Sequence, residues 1–433
     1  MKHPTERSTR VAAEDSLHPS LTHPVGAPRR PQPDDSCTSP PPSVALRAFV
    51  ASYNVPLVRL SIPRETAPRE QRVALIPETV GKLAKMGFQP VVETGAGLAA
   101  GHTDEAYTAA GASLAPDFAA CVAGTAAVFK VREPSPDEIA AIPEGALLLG
   151  LLGRGENAEQ LERYRARKLG VFSLHALPRI TRAQKMDALS SMAACAGYKA
   201  VLTAANLSGK FFPLLMTAAG TVAPSRVLVL GAGVAGLQAI ATARRLGAVV
   251  EAFDVRPAVK EEVMSLGATF VEMPIGDAGV GAGGYAKEMG EQQNELIRQT
   301  IAARLPNIDV VISTASIPGR KAPVLLNEDG LKKLKTGSVV VDLAAETGGN
   351  CTATQAGETV VVHGVKVTGP LDIAASLPTH ASQMYARNLY ELIVHLAKDA
   401  KLNVDFADEI TRGCCLTYEG RPASELAPTG KSA

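Results

Sequence analysis

The chain has 433 residues, of which 46% are apolar and 4% aromatic, and this length is sufficient for two or three domains with cores of their own. Its formal net charge of +1 gives no electrostatic basis for binding nucleic acid or an anionic membrane surface. The 6 cysteines form no CxxC pair, so the sequence predicts neither a metal site nor a disulfide framework.

Residues 1–55 differ in composition from the rest of the chain. They are rich in Pro, Ser, Thr, His and Arg, as in HPVGAPRRPQPDDSCTSPPPS, and cannot bury enough apolar surface to offset their ordering entropy, so we predict a disordered tail. Its acidic residues and its lack of an apolar segment argue against a targeting peptide, and a misassigned start codon would give the same pattern. No apolar run reaches the roughly 18 residues of a membrane helix, so the chain by itself is expected to be soluble.

Two series of short β-branched strands and Ala-rich helices follow, and this alternation predicts an α/β fold with parallel sheets. The first domain is predicted over 56–185 plus 378–420, which makes it discontinuous, and the second over 186–377. A helix over 182–206 is expected to connect them, and 421–433 is predicted to be a flexible C-terminal tail. The late segment VVVHGVKV is interpreted as one strand of the second series.

The second series opens with a glycine pattern between a strand and a helix. Gly231, Gly233 and Gly236 follow the apolar run RVLVL and begin an Ala-rich helix, which is the setting in which G-x-G-x-x-G binds a pyrophosphate. Asp254 ends the next strand, where a carboxylate accepts hydrogen bonds from the adenosine ribose and repels a 2′-phosphate. NAD(H) is therefore favoured over NADP(H), although Arg256 could contact a phosphate. The alternative is a tight strand–helix turn without a ligand.

A glycine-rich stretch, PIGDAGVGAGGYAKEMGEQQ, interrupts the second series over residues 274–293. Loops of this length inside a domain are usually functional or mobile.

Several motifs in order resemble one family. RETAPREQRVALIPETVGKLAKMGFQPVVETGAG, RITRAQKMDALSSMAACAGYKAV, GAGVAGLQAIATARRLGAVVEAFDVRP, GGYAKEM, STASIPGRKAP and VDLAAETGGN are similar to stretches of the NAD(H)-binding alpha subunits of proton-translocating NAD(P) transhydrogenases, relatives of alanine dehydrogenase. The resemblance covers about residues 57–420. It implies two Rossmann-like domains with a cleft between them.

The resemblance also implies site residues. Those expected at the nicotinamide end, in reacting or cofactor-binding roles, are Arg179, Ile180, Thr181, Arg182, Gln184, Asp187 and Ser190. Contacts to the adenosine and pyrophosphate are implied for Val234, Ala235, Asp254, Val255 and Arg256. Gly284 and Tyr285 would belong to a loop that closes over NAD(H), and Ser316 would be a further contact. Taken without the resemblance, Arg179 and Asp187 could be a surface ion pair of little energetic value.

The expected chemistry follows from what these residues lack. Oxidising an amine or alcohol requires a general base, whereas transfer between two nicotinamides moves only a hydride. Arg, Gln, Asp and Ser without an evident base suit the second reaction. We therefore expect a transhydrogenase that couples hydride transfer from NADH to NADP⁺ with proton translocation and is active only with its partner.

The implied assembly extends beyond this chain, which shows no second dinucleotide motif. NADP(H) would be held by a partner subunit, and membrane-spanning subunits would hold this chain at the cytoplasmic side of the inner membrane. A homodimer is implied as well. No nucleic-acid partner is expected.

Two other functions remain open. An alanine dehydrogenase would use a lysine and a histidine of the first domain; Lys130 matches the lysine region, but the segment LLLGLLGRGENAEQ has no histidine and His175 lies later. A non-catalytic NAD(H)-sensing module is the second alternative, and the intact GGYAKEM loop argues against it.

Overall fold

The computed structural model describes residues 58–273, 290–317 and 320–426. The tail predicted over 1–55 lies outside the described residues. Within them, two parallel-dominated sheets each carry helices on both faces, and apolar side chains fill the layers between sheet and helices. Strands buried on both faces are rich in Val, Leu and Ile rather than alternating, which explains runs such as RVLVL and ALLLG.

The first sheet has eight strands in the order β19-β18-β6-β5-β4-β1-β2-β3. All neighbours from β3 to β6 are parallel, whereas β18 is antiparallel to both β6 and β19. The strands are β1 Arg59–Ile62, β2 Gln89–Glu93, β3 Ser113–Ala115, β4 Ala127–Phe129, β5 Leu147–Gly150, β6 Gly170–Ser173, β18 Cys415–Tyr418 and β19 Arg421–Pro422. The helices between them are α1 Pro77–Lys85, α2 Asp104–Ala109, α3 Phe118–Val122, α4 Pro136–Ala141 and α5 Ala158–Ala166.

The second sheet has seven strands in the order β11-β10-β9-β12-β13-β15-β14. Only β14 is antiparallel to its neighbour. The strands are β9 Arg226–Leu230, β10 Val249–Phe253, β11 Thr269–Val271, β12 Val310–Ser313, β13 Val339–Asp342, β14 Thr359–Val362 and β15 Val365–Thr368. The helices are α7 Val234–Arg245, α8 Lys260–Ser265, α9 Glu291–Ala302 and α10 Glu328–Lys333.

Both sheets share one topology. Their six parallel strands follow the doubly wound order in which the chain starts in the middle, fills one side and then crosses to the other. In such sheets a crevice opens at the carboxyl ends of the two central strands, where the winding direction reverses. In the second sheet these strands are β9 and β12.

Two long helices join the two halves. Helix α6 (Ala188–Leu207) packs against α7 of the second half, and α11 (Pro378–His395) packs against α6. The remaining elements are the hairpins β7 Leu215–Thr217 with β8 Gly220–Val222 and β16 Ala397–Lys398 with β17 Lys401–Leu402, and helix α12 Glu409–Cys414.

Three local predictions were wrong in detail. The connector predicted over 182–206 is a 3₁₀ turn, Thr181–Met186, followed by α6, because Asp187 caps a new helix. VVVHGVKV forms a hairpin, since His363 and Gly364 adopt positive φ angles of 52° and 76° and reverse the chain. Residues 421–426 of the predicted flexible tail contain a strand and a turn with buried Leu426, and residues 427–433 lie outside the described residues.

Candidate functional site

A cavity of about 520 Å³ opens at the switch point of the second sheet. One wall follows β9, where the glycine loop meets the start of α7. A second wall comes from the segment after β10, and a third from the segment after β12. The first half of the chain adds Arg179 and the start of α6. The cavity therefore lies where a dinucleotide binds in doubly wound sheets.

The geometry of the glycine loop explains its three glycines. Gly231 has a φ of +97° and donates its N–H to the Phe253 carbonyl at 2.8 Å, in a conformation that side chains rarely adopt. A Cβ at Gly236 would lie 1.8 Å from the Gly231 oxygen, so helix and loop could not pack. A Cβ at Gly233 would meet nothing within 4 Å, which leaves the cap of α7 open for a pyrophosphate to approach the helix N-terminus.

The Asp254 carboxylate is buried and fully engaged. Its Oδ2 accepts from Ala232 N at 2.7 Å and from Arg256 Nη2 at 2.9 Å, and its Oδ1 accepts from Arg256 N and Nε, both at 2.9 Å. The paired carboxylate raises the pKa of Arg256. A ribose hydroxyl can therefore reach Asp254 only if the Arg256 side chain gives up part of its hold.

Helix α6 brings the first half of the chain to the glycine loop. A Cβ at Gly197 would lie 2.0 Å from the Ala235 oxygen, so the two helix backbones touch at a position that only glycine permits. This contact places Leu189, Ser190 and Ala193, one to two turns earlier on α6, at the cavity wall. The predicted nicotinamide-end residues are thus held against the dinucleotide motif by backbone packing.

The turn before α6 carries the remaining predicted residues of the first half. Asp187 is the N-cap of α6, and its carboxylate accepts from Ser190 N at 2.9 Å and from Ser190 Oγ at 2.6 Å. Gln184 is exposed on the 3₁₀ turn. Arg182 is exposed and donates to Asp408 at 2.9 Å, towards the C-terminal segment.

The cavity collects many of the predicted residues but not all of them. Its lining includes Arg179, Ser190, Gly231, Gly233, Val234, Ala235, Asp254, Val255, Arg256 and Ser316. The residues outside the lining are Ile180, Thr181, Arg182, Gln184, Asp187 and Gly236. Gly284 and Tyr285 lie outside the described residues. No ligand contact is established for any of these side chains, so their roles stay predictions.

Sequence reasoning missed several lining residues. Among them are Leu189, Phe253, Asn294, Ile297, Thr314 and Lys321. Thr314 follows β12, and its Oγ1 donates to the Gly231 carbonyl at 3.1 Å. The rule that ligands bind at the carboxyl ends of the strands beside the switch point would have found Thr314, had the strand order been known. No local signal marks Asn294 or Lys321.

Comparison with known proteins assigns the chain to a family. The N-terminal domain profile of the alanine dehydrogenase/PNT family matches residues 61–196, and the C-terminal domain profile matches residues 200–425. The chain belongs to the alanine dehydrogenase/PNT family. The resemblance inferred from the motifs is thereby confirmed.

Relatives within the alanine dehydrogenase/PNT family carry two names. An NAD(P) transhydrogenase alpha subunit of Rhodospirillum rubrum is 46% identical over 374 residues, which cover 84% of this chain and 97% of the relative. Alanine dehydrogenase of Bacillus subtilis (strain 168) is 31% identical over 297 residues, covering 67% of this chain and 71% of the relative. The crystal structure of transhydrogenase from Sinorhizobium meliloti is 42% identical with a TM-score of 0.76 and covers 84% of this chain and 99% of that one, which confirms the predicted α/β fold with Rossmann-like domains.

The first half of this family member contains a buried charged cluster behind the cleft. Lys130 is 1% exposed and pairs with Glu138 at 2.9 Å and with Glu65 at 3.5 Å. Arg72, also buried, pairs with Glu70 at 2.6 Å and donates to the Met192 sulfur on α6 at 3.0 Å. Each of these two cations is thus neutralised by carboxylates of the same chain.

His175 contacts the segment in which an alanine dehydrogenase histidine was sought. Its Nδ1 accepts from Gly153 N at 3.2 Å, so the loop after β5 rests on this ring. Burial lowers the pKa of His175, with the Arg154 charge acting in the same direction.

Glu65 in this cluster makes folding stability depend on pH. Burial raises its pKa from 4.5 to about 7 against the opposing charge of Lys130. A raised carboxyl pKa stabilises the fold below pH 4.5, and this contribution is lost as the pH rises to about 7. We expect Glu65→Gln to be more stable than the parent by about 3 kcal/mol at pH 8 and equally stable near pH 4.5. Urea unfolding at both pH values tests this.

The exposed Glu358 provides the matched control, because Glu358→Gln removes the same charge from solvent-accessible surface. It should change stability by less than about 0.5 kcal/mol at either pH. A Glu65→Gln variant that is less stable at pH 8 would show that the ionised carboxylate stabilises the cluster instead.

Two further features concern the described residues only. They contain no group of three or more His, Cys, Asp or Glu side chains able to hold a metal ion. In the same ranges, every helix is too short or too polar to cross a membrane.

Proposed function

We propose that this chain is the NAD(H)-binding subunit of a proton-translocating NAD(P) transhydrogenase, in which NADH passes a hydride directly to NADP⁺ held by a partner subunit. The observation that carries the proposal is the switch-point cavity, in which the glycine loop, the Asp254–Arg256 pair and residues of the first half converge. The relatives named as transhydrogenase alpha subunits support it.

The choice of NAD(H) for this chain is supported by the acid at the end of β10. Asp254 is where a carboxylate binds the adenosine ribose, and a 2′-phosphate would face its negative charge. Arg256 could attract that phosphate, but its guanidinium is already paired with Asp254. NADP(H) is accordingly assigned to the partner subunit.

Direct hydride transfer is supported by the character of the cavity lining. Its ionisable side chains among the described residues are three cations, Arg179, Arg256 and Lys321, and the Asp254 carboxylate, whose oxygens already accept hydrogen bonds. Such a lining binds and orients a dinucleotide without supplying the base that oxidation of an amine requires. Positioning two nicotinamide rings and excluding water is then the task of the protein.

The assembly is included in the same proposal. The names of the Rhodospirillum rubrum and Rickettsia prowazekii relatives describe a portion of an alpha subunit, which implies further subunits. Proton translocation requires membrane-spanning subunits, through which this chain would lie on the cytoplasmic face of the inner membrane. We also propose a homodimer, supported by apolar side chains exposed on and beside the β7–β8 hairpin. Met216 is 74% exposed, Phe211 56% and Leu214 54%.

The proposed domain division has one structural support. Strand β18, near the end of the chain, pairs with β6 of the first sheet. The return of the chain after α11 to the first half is consistent with a first domain made of 56–185 plus 378–420 and a second of 186–377.

The alternative function is an alanine dehydrogenase, favoured by the Bacillus subtilis relative and by the contact of His175 with Gly153. Lys130 argues against it, because two carboxylates of the chain occupy the ammonium group that a substrate carboxylate would need. The isolated chain should therefore bind NADH and show no sustained oxidation of L-alanine with NAD⁺, as followed by NADH absorbance. Turnover without a partner subunit would replace the transhydrogenase proposal. If NADH binds but no transfer follows when the NADP(H)-binding partner is added, the sensing-module alternative gains.

A further inference from the structure

The motif VDLAAETGGN ends in a side chain that reaches the cavity wall from behind. Asn350 is fully buried, and its Nδ2 donates to the carbonyls of Ala315 and Pro323, both at 2.8 Å. Its Oδ1 accepts from Ala315 N at 3.0 Å. One amide thus satisfies both backbone groups of Ala315 and also holds a residue eight positions further along the chain.

The backbone of Asn350 adds to this attachment. Its carbonyl accepts from Leu325 N at 2.8 Å and from Leu326 N at 3.0 Å. The described stretches 314–317 and 320–325 are therefore both fixed to one residue. Seven cavity-lining residues lie in these stretches, so the position of Asn350 determines where this wall stands.

Asn350 is itself positioned by a second buried group. The Asp342 carboxylate at the end of β13 accepts from Asn350 N at 2.7 Å, and its other donors are Ser313 Oγ, Ala344 N, Cys351 N and Thr354 Oγ1. Gly348 and Gly349 precede Asn350 with φ of +101° and +80°, and a Cβ at Gly349 would lie 2.9 Å from Asp342 Oδ2. The two glycines are what allow the chain to wrap this carboxylate.

The wall held by Asn350 lies on one particular side of the cavity. The glycine loop follows β9, Asp254 follows β10 on one side of it, and residues 314–325 follow β12 on the other side. With the pyrophosphate over the glycine loop and the adenosine towards Asp254, the nicotinamide half must extend towards β12.

We propose that Asn350 is a positioning residue for the nicotinamide half of the bound dinucleotide, acting through the backbone of residues 315 and 323 and held in place by Asp342. This inference rests on the proposed function. Asn350 makes no contact with the cofactor; it fixes the wall against which the nicotinamide ring is oriented. A buried amide with three satisfied hydrogen bonds allows little displacement of that wall.

The test compares two ligands that differ only in the nicotinamide. Dissociation constants for NADH and for ADP-ribose are measured with the full chain and with Asn350→Ala. The variant should bind NADH at least about tenfold more weakly, because the wall loses three hydrogen bonds, and should bind ADP-ribose within about twofold of the parent. Asn327→Ala is the matched control, since Asn327 caps α10 through Gly330 N in the same half and lies outside the cavity lining. It should leave both constants within about twofold.

Equal weakening of NADH and ADP-ribose by a folded Asn350→Ala would overturn the inference, and so would an unchanged NADH constant. If Asn350→Ala does not fold, Thr354→Val replaces it, because this variant removes one donor to Asp342 and nearly preserves shape. It should weaken NADH about threefold with ADP-ribose unchanged, and equal or absent losses would again overturn the inference. A parent chain that binds neither ligand contradicts the proposed function itself, which is seen before any variant is measured.

Discussion

Replacing Asp254 with asparagine is expected to weaken NADH binding by about 1–3 kcal/mol and to strengthen NADPH binding by a similar amount. The carboxylate that would accept the ribose hydroxyls becomes an amide of lower acceptor strength. At the same time Arg256 loses the anion that holds its guanidinium, so this cation becomes available to a 2′-phosphate. Calorimetric titration of both nucleotides measures the change.

Arg256→Ala provides the opposite change at the same pair. It leaves Asp254 without its cation, so NADPH should bind more weakly than to the parent, while NADH stays within about threefold. Asp254 also holds the glycine loop through Ala232 N. If Asp254→Asn weakened both nucleotides equally, this loop contact rather than ribose recognition would be its main role.

The second large effect is expected at Gln184. Once the NADP(H)-binding partner is present, Gln184→Ala should lower the rate of hydride transfer about 100-fold while NADH affinity changes less than about threefold. Gln184 lies outside the cavity lining and is exposed, but it lies in the chain between two lining residues, Arg179 and Ser190. A group in this position can order the two rings in the closed complex without contributing to binding of NADH alone. Single-turnover rates and equilibrium titrations separate the two effects.

Lys185→Ala is the control, because Lys185 is exposed on the same 3₁₀ turn and its backbone carbonyl, which accepts from Asn388 Nδ2 at 2.8 Å, is retained. Its transfer rate should stay within about twofold of the parent. Equal losses for the two variants would mean that the turn as a whole, not the Gln184 amide, matters. A Gln184→Ala variant that loses affinity and rate in the same proportion would assign the residue to ground-state binding.

The features of the fold and site that the sequence predicted depend on local geometry. The glycine loop was predictable because a positive φ at Gly231 and the contact of Gly236 with Gly231 O can be met only by glycine at that spacing. The alternating strands and helices were predictable because strands buried on both faces form continuous apolar runs. The hairpin at His363 was missed because its turn lacks the Asn-Gly or Asp-Gly pair that usually marks one.

The rest depends on contacts between distant segments of the chain. The pairing of Arg256 with Asp254 and the neutralisation of Lys130 by Glu65 and Glu138 require knowledge of which side chains meet in the folded chain. Asn350 could be recognised as a member of a motif, but its bonds to Ala315 and Pro323 span 35 and 27 residues. Sequence spacing carries no information on such long-range contacts until the strand order is known.

Direct transfer of a hydride between two nucleotides is the central claim, and isotope transfer tests it most directly. The full chain is combined with its NADP(H)-binding partner subunit, NADH deuterated at both C4 positions and NADP⁺, and the product NADPH is examined by mass spectrometry. The account predicts one deuterium in each NADPH formed and none released to water, because no protein group takes up the hydride or exchanges it with solvent. NADPH without deuterium, or deuterium appearing in the solvent, would contradict it.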